Sequence, residues 1–177
     1  MIAIARKFIE FQLPKLVRKS QIRRHTVNYR DARRVGVLVT LQEYEKQHDI
    51  DAFVDRLVAD DKEVEVLCYD KRRAHNKIFG YIQFTDRDIS LFGSLRGDYI
   101  LDFINRDFDY LFHLDTESDA VLDKILTLSH AKCRVGCDVP GHHDYYELMV
   151  KADTLHDLSE MIFHYVKLVS TMKKKVS

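Results

Sequence analysis

Two cysteines and two histidines lie close together in sequence near the end of the chain. Cys133 and Cys137 are four residues apart, and His142 and His143 follow shortly after them. Thiolates and imidazoles are the ligands that Zn²⁺ prefers in proteins, usually four of them in a closed tetrahedral site. The residue types therefore raise the question of a metal site, and the answer depends on the element that carries the cysteines.

The residues around the cysteines predict a strand over 132–138, and strand geometry separates the two thiols. Four residues at roughly 3.3 Å each place Cys133 and Cys137 about 13 Å apart. A zinc ion needs each sulfur at about 2.3 Å, and a disulfide needs Cα atoms within about 7 Å of each other. We therefore predict no bound metal and two small buried side chains, with a weaker alternative in which Cys137 meets His142 or His143 across a turn.

A second set of polar residues follows predicted buried strands. Thr40, Asp70 and Asp115 each lie at the carboxyl end of such a strand, and Thr116 and Ser118 come directly after Asp115. In an open parallel sheet, ligands bind beyond the carboxyl ends of the strands, where hydroxyls at a helix start can contact a phosphate. The same residues would also serve as ordinary helix caps and N-terminal charges. Neither GxGxxG nor GxxxxGK[ST] occurs, so no nucleotide fingerprint and no cofactor is predicted.

Positive charge is concentrated at the start of the chain, although the net charge is zero. Residues 1–34 carry ten Lys and Arg against two acidic residues, a net charge of +8, and residues 35–177 carry −8. An apolar stripe flanked by basic residues is typical of a helix that lies at an anionic membrane interface. The basic residues of this helix are Arg6, Lys7, Lys15, Arg18 and Lys19.

Other partners would also suit this basic segment. An acidic protein or the phosphates of a nucleic acid would attract it, although no aromatic-rich RNA-binding motif favours nucleic acid. In a further alternative, the helix packs against the acidic body of its own domain.

The composition is that of an ordinary globular domain, with 46% apolar and 32% charged residues among 177. The apolar N-terminal run is interrupted by Arg6, Lys7 and Glu10, which makes it too short for a secretory core or a membrane span. The three cysteines follow no secretory signal, which favours a reduced, cytoplasmic protein. A basic helix would then hold it at the inner face of a membrane.

Hydrophobic periodicity predicts a helix and connector over residues 1–33 and one α/β domain over 34–177. The helix spans residues 2–18, and Pro14 is expected to break it. Strands that alternate with helices imply βαβ units, so we predict a three-layer, Rossmann-like fold with a mainly parallel sheet. The predicted strands are Arg34–Leu41, Lys62–Asp70, Asp88–Gly93, Phe108–Asp115 and the stretches 132–138 and 145–151.

The last two predicted strands are separated only by the seven residues 138–144. A parallel crossover usually needs a dozen residues or more. Pro140 and Gly141 suit the central positions of a type II turn, where glycine supplies the positive φ. The sequence therefore predicts a C-terminal antiparallel hairpin.

The order of the basic helix and these strand segments resembles a family of small uncharacterised bacterial proteins, a domain of unknown function. This resemblance implies a similar fold and brings no known activity. The stretch 108–138 also looks like part of the N-terminal half of heptosyltransferase-type glycosyltransferases, with a strand ending in Asp, a helix and a short "RVG" strand. That distant resemblance implies a glycosyltransferase-like ancestry.

Two functional hypotheses follow. The first is a non-catalytic cytoplasmic binding or adaptor module, peripheral to the membrane through its basic helix. The alternative is a small glycosyltransferase-like enzyme, or a binder of a nucleotide or nucleotide sugar, that acts at the strand ends near Thr40, Asp70 and Asp115.

Overall fold

The computed structural model describes residues 2–41, 45–71 and 80–173, and these ranges contain five α-helices and six β-strands. The helices are α1 (Ile2–Lys19), α2 (Glu45–Ala59), α3 (Asp98–Asn105), α4 (Ala120–Leu128) and α5 (Leu155–Lys173). The strands are β1 (Arg34–Leu41), β2 (Glu63–Asp70), β3 (Ile82–Phe84), β4 (Tyr110–His113), β5 (Cys133–Cys137) and β6 (Leu148–Val150).

The strands form a single sheet in the order β3-β2-β1-β4-β5-β6, and every neighbouring pair is parallel. The strand order reverses between β1 and β4, which is the arrangement of a doubly wound sheet. The predicted α/β, Rossmann-like class is confirmed.

Helices cover both faces of the sheet, so the strands are buried from two sides. Residues of α2 and α5 form one core with the sheet, and residues of α1, α3 and α4 form the other. Alternation along β1 supplies both cores, because Val37 and Val39 belong to the first and Leu38 to the second. This double burial explains the nearly continuous apolar run of β1.

The predicted C-terminal hairpin is wrong, because β6 runs parallel to β5, with Val135 opposite Leu148. The strand begins at Leu148, later than its sequence suggests, so ten residues (138–147) connect β5 and β6. Tyr146 on this connection belongs to the core formed by α1, α3 and α4. Its ring lies where a Cβ on Gly136 would be, so the connection crosses that face of the sheet and returns the chain in the same direction.

The predicted turn inside this connection does form. The N–H of His142 donates to the carbonyl of Val139 at 3.1 Å, and Gly141 has a φ of +82°. These values agree with Pro140 and Gly141 at the centre of a type II turn. The turn therefore starts a short parallel crossover instead of a hairpin.

Two local predictions also differ from the structure. Helix α1 continues through Pro14 to Lys19, since its packing on α4 stabilises the helix despite the missing N–H. The third strand is Ile82–Phe84, and the stretch Asp88–Gly93 instead ends a 3₁₀ segment and enters a tight turn.

Candidate functional site

The carboxyl ends of β1 and β4 border a cavity of about 210 Å³ at the point where the strand order reverses. Four of the five predicted ligand-binding residues line it, namely Thr40, Asp115, Thr116 and Ser118. Asp70 does not line this cavity and is buried at the end of β2. We call this cavity the strand-end crevice; among the described residues, Lys46, Lys71, Glu117 and Asp119 also line it.

Two lysines that sequence reasoning missed balance the acidic residues of the strand-end crevice. Lys46 lies in the first turn of α2, and its Nζ is 3.4 Å from Oδ1 of Asp115. The other carboxylate oxygen of Asp115 accepts the backbone N–H of Thr40 at 2.7 Å. Lys71 follows β2, and its Nζ is 2.6 Å from Oδ2 of Asp119. Lys71 directly follows a strand, as the predicted acidic residues do, so its position in the sequence was a signal that it borders this site.

Asp119, in the strand-end crevice, joins α4 to two cations from other parts of the chain. It is the N-cap of α4, in place of the predicted Ser118, and accepts the N–H of Val121 at 2.9 Å. Its carboxylate also binds Arg6 at 2.8 Å. Burial raises the pKa of Asp119, but the hydrogen bond and charge of Lys71, together with Arg6, outweigh it and hold the pKa below its usual range.

A buried polar chain continues from the strand-end crevice into the core. His113 ends β4, and its Nε2 lies 3.3 Å from Oδ2 of Asp115. Its Nδ1 lies 2.6 Å from the hydroxyl of Tyr146. His113 is thus a positioned core histidine that links β4 to the β5–β6 connection.

Asp123 and His142 meet between α4 and the β5–β6 connection, where they line a cleft of about 390 Å³ that also borders α1. Nδ1 of His142 is 3.4 Å from Oδ2 of Asp123. Burial raises the pKa of Asp123 to about 6, against the opposing charges of His142 and His113. This carboxyl therefore changes its protonation state close to neutral pH.

The structure does not bring the weak metal candidates together. The thiol of Cys137 donates to the carbonyl of Ala152 at 3.5 Å, and burial raises its pKa. His142 faces Asp123, while His143 lies 3.2 Å from Asp138. Within the described ranges, no three His, Cys, Asp or Glu side chains are placed to hold a metal ion. Cys133 and Cys137 are both buried thiols.

Helix α1 packs against its own domain through one face. Ala5, Ile9 and Leu13 are buried in the core shared with α3 and α4. Arg6 anchors the start of the helix, because its guanidinium binds Asp119 and donates to the Tyr69 hydroxyl at 3.1 Å. Among contacts between described residues, Arg6 is thus the one of the five predicted partner-binding basic residues that is engaged in the fold.

The opposite face of α1 is apolar and basic at the same time. Phe11 is 85% exposed, Ile4 51% and Phe8 39%. Lys7, Lys15, Arg18 and Lys19 are also exposed. At 3.6 residues per turn these seven residues fall in one arc roughly 120° wide, which excludes the acidic Glu10. We call this arc the exposed face of α1.

Sequence reasoning missed half of this face. The apolar stripe that periodicity predicts for this helix is the buried one, with Phe8 at its margin, and it leaves out Ile4 and Phe11. The signal was available, because Ile4, Phe8 and Phe11 follow the helical spacing of i, i+4 and i+7. Large apolar side chains that cluster on a surface commonly mark an interaction site.

Comparison with known proteins identifies a family that matches the chain. The model of a family of unknown function (DUF6913) matches residues 6–169. No curated protein and no solved structure matches the chain, so nothing supports the heptosyltransferase resemblance. In the part of the chain that the structure describes, no helix has both the length and the apolar character needed to cross a bilayer.

Proposed function

We propose that this chain, which belongs to the DUF6913 family, is a non-catalytic binding module that attaches to the anionic inner face of a membrane. The observation that carries the proposal is the exposed face of α1. There, three large apolar side chains and four cations share one side of a helix whose other side is fixed in the core. The domain would remain folded, with α1 packed in its core, while the exposed face of α1 binds the membrane.

The physical basis is a sum of two modest contributions. A basic residue near an anionic leaflet contributes about 1 kcal/mol, so four of them contribute roughly 4 kcal/mol. Apolar side chains that enter the headgroup boundary add about 25 cal/mol for each Å² removed from water. Neither contribution alone gives stable attachment, but a helix that combines them lies in the interface plane.

Vesicle sedimentation tests this proposal. The double variant Lys7→Glu/Lys15→Glu places two acidic residues on the exposed face of α1. We expect it to bind phosphatidylglycerol-containing vesicles at least about 30-fold more weakly than the wild type, because two contributions of about 1 kcal/mol are lost and repulsion adds to that loss. High salt should weaken wild-type binding as well.

The matched control is Arg30→Glu/Lys151→Glu, which changes the net charge equally at exposed residues outside α1. This control should bind almost as well as the wild type. Equal binding by the two double variants, or equal binding of the wild type to neutral vesicles, would contradict the proposal.

A second candidate function is a nucleotide or nucleotide-sugar site in the strand-end crevice. It is favoured by the convergence of Thr40, Asp115, Thr116 and Ser118 on one cavity. It predicts that such a ligand, with or without Mg²⁺, raises the melting temperature of the wild type and not of Lys46→Ala. The existing ion pairs of both lysines weigh against a free anion site, and a screen with no shift would remove this candidate.

A further inference from the structure

The chain reverses direction tightly over Ser90–Gly93, directly beside α1. The N–H of Gly93 donates to the carbonyl of Ser90 at 2.9 Å, and Ile89 pairs with Leu95 in an antiparallel bridge. The two residues at the tip of this turn are large and apolar, with Leu91 43% and Phe92 64% exposed. We call residues 90–93 the apolar turn.

Gly93 fixes the apolar turn against α1. Its φ of +74° favours glycine, and a Cβ there would come within 2.5 Å of the Ile9 side chain and 3.3 Å of the Ala5 carbonyl. Only a glycine lets the backbone approach the helix this closely. The position of the tip is therefore determined by the buried side of α1.

Polar contacts bind the apolar turn to both neighbouring helices. The amide of Gln12 donates to the carbonyl of Phe92 at 3.3 Å. The Lys124 ammonium, from α4, donates to the carbonyl of Gly93 at 2.9 Å and to the Gln12 side chain at 3.0 Å. These bonds satisfy the backbone of the turn and leave the Leu91 and Phe92 side chains directed away from the core.

The apolar turn and the exposed face of α1 are continuous. The rings of Phe8 and Phe92 pack edge to face, with centroids 5.6 Å apart. Five large apolar side chains from two separate segments thus form one surface: Ile4, Phe8, Phe11, Leu91 and Phe92. The cations on α1 accompany this surface, and their charge is complementary to an anionic lipid layer.

We propose that the apolar turn enters the acyl boundary of an anionic membrane together with Phe8 and Phe11, so that the folded domain docks in one fixed orientation. This inference rests on the proposed function and adds a second inserting element to it. A helix alone is free to roll in the interface plane. A rigid turn beside it, held by Gly93 and Gln12, prevents that rotation.

The experiment uses the absence of tryptophan from the chain. Phe92→Trp gives a single fluorescent reporter at an exposed position, where the substitution leaves the core unchanged. With phosphatidylglycerol-containing vesicles, we expect its emission to shift to shorter wavelength and to be quenched by brominated acyl chains. Tyr165→Trp, at an exposed position on α5, is the matched control and should show neither change.

A second variant measures the contribution of the turn to affinity. Phe92→Ala should bind the same vesicles roughly tenfold more weakly, since a Phe side chain no longer leaves water. Its melting temperature should match that of the wild type, because the side chain is exposed. An unchanged affinity would contradict insertion of the turn.

The outcomes separate this inference from the function it rests on. If Phe92→Trp sediments with vesicles but shows no spectral shift and no quenching, the turn stays outside the bilayer, and the attachment through α1 still stands. If the wild type itself does not sediment, the proposed function fails and this inference fails with it. If Phe92 is instead required for binding an acidic protein and not vesicles, the surface serves a protein partner and the proposal is wrong.

Discussion

Asp119 illustrates how a single residue can join parts of the chain that are distant in sequence. Its carboxylate caps α4 and also binds Lys71, after β2, and Arg6, on α1. A buried carboxylate is costly unless it is paired and hydrogen-bonded. Arg6 was predicted as a contact for a membrane or a partner. Its guanidinium instead faces inward, because it neutralises this buried carboxylate.

The Asp123 carboxyl should make stability depend on pH. Its pKa is raised by burial to about 6, so the folded state holds a proton that the unfolded chain releases at about 4. The stabilising effect of this proton is fully present below about pH 4 and is lost as the pH rises through about 6. Over this pH range the free energy of unfolding falls by roughly 3 kcal/mol at most, which is about 1.4 kcal/mol per pH unit.

Asp123→Asn removes this titration. The free energy of unfolding of the wild type, relative to that of Asp123→Asn, should fall between pH 4 and about 7, as measured by urea denaturation. Asp102→Asn, at an exposed position on α3, is the matched control and should follow the wild-type pH curve. Parallel curves for Asp123→Asn and the wild type would show that the pKa of the Asp123 carboxyl is not raised in the folded protein.

At the scale of elements, α1 resolves two alternatives that the sequence left open. Docking on the domain and binding of a partner appeared to compete for the same helix. The structure shows that one face of α1 is docked, because Ile9 is buried, and that the opposite face is exposed at Ile4. The exposed face is the one that we propose binds a membrane. Deleting the helix would therefore be a poor test of membrane binding, since it would also open the core.

Two isoleucines on α1 separate the faces experimentally. Ile9→Ala should lower the free energy of unfolding by roughly 2–5 kcal/mol, because it leaves a cavity in the core. Ile4→Ala should change it by less than about 0.5 kcal/mol and should weaken vesicle binding. Chemical denaturation and sedimentation on the same pair provide the measurements, and equal stability losses would contradict the docked helix.

Elements were predicted well where their pattern was local and regular. β1 and β2 were anticipated closely, since a strand buried on both faces gives a continuous apolar run. β4 was also anticipated, but it is shorter than predicted, Tyr110–His113. The stretch Asp88–Gly93 was misassigned for the same reason. Its apolar residues resemble a short strand, yet Leu91 and Phe92 face outward at the tip of a turn. Hydrophobicity alone does not distinguish a buried strand from an exposed apolar turn.

At the scale of the whole molecule, the error at the C-terminus concerned a connection and not an element. Both strands were anticipated, but their relative direction depends on the path of residues 138–147. That path is set by Tyr146 over Gly136 and by Glu147, whose carboxylate accepts from the Arg134 backbone at 2.7 Å. Such contacts join residues about ten positions apart, and no periodicity encodes them.

The sequence by itself determined the α/β class, the approximate positions of five of the six described strands, the turn at Pro140-Gly141 and the convergence of Thr40, Asp115 and Ser118 at one edge of the sheet. These follow from local propensity, from alternation and from the rule that parallel strands end on the same side. Only the tertiary structure decided which basic residues of α1 are exposed, that β6 is parallel, and that Phe92 contacts Phe8. The physical reason is that pairing and exposure depend on which distant segments pack together, and this is decided by the burial of both cores at once.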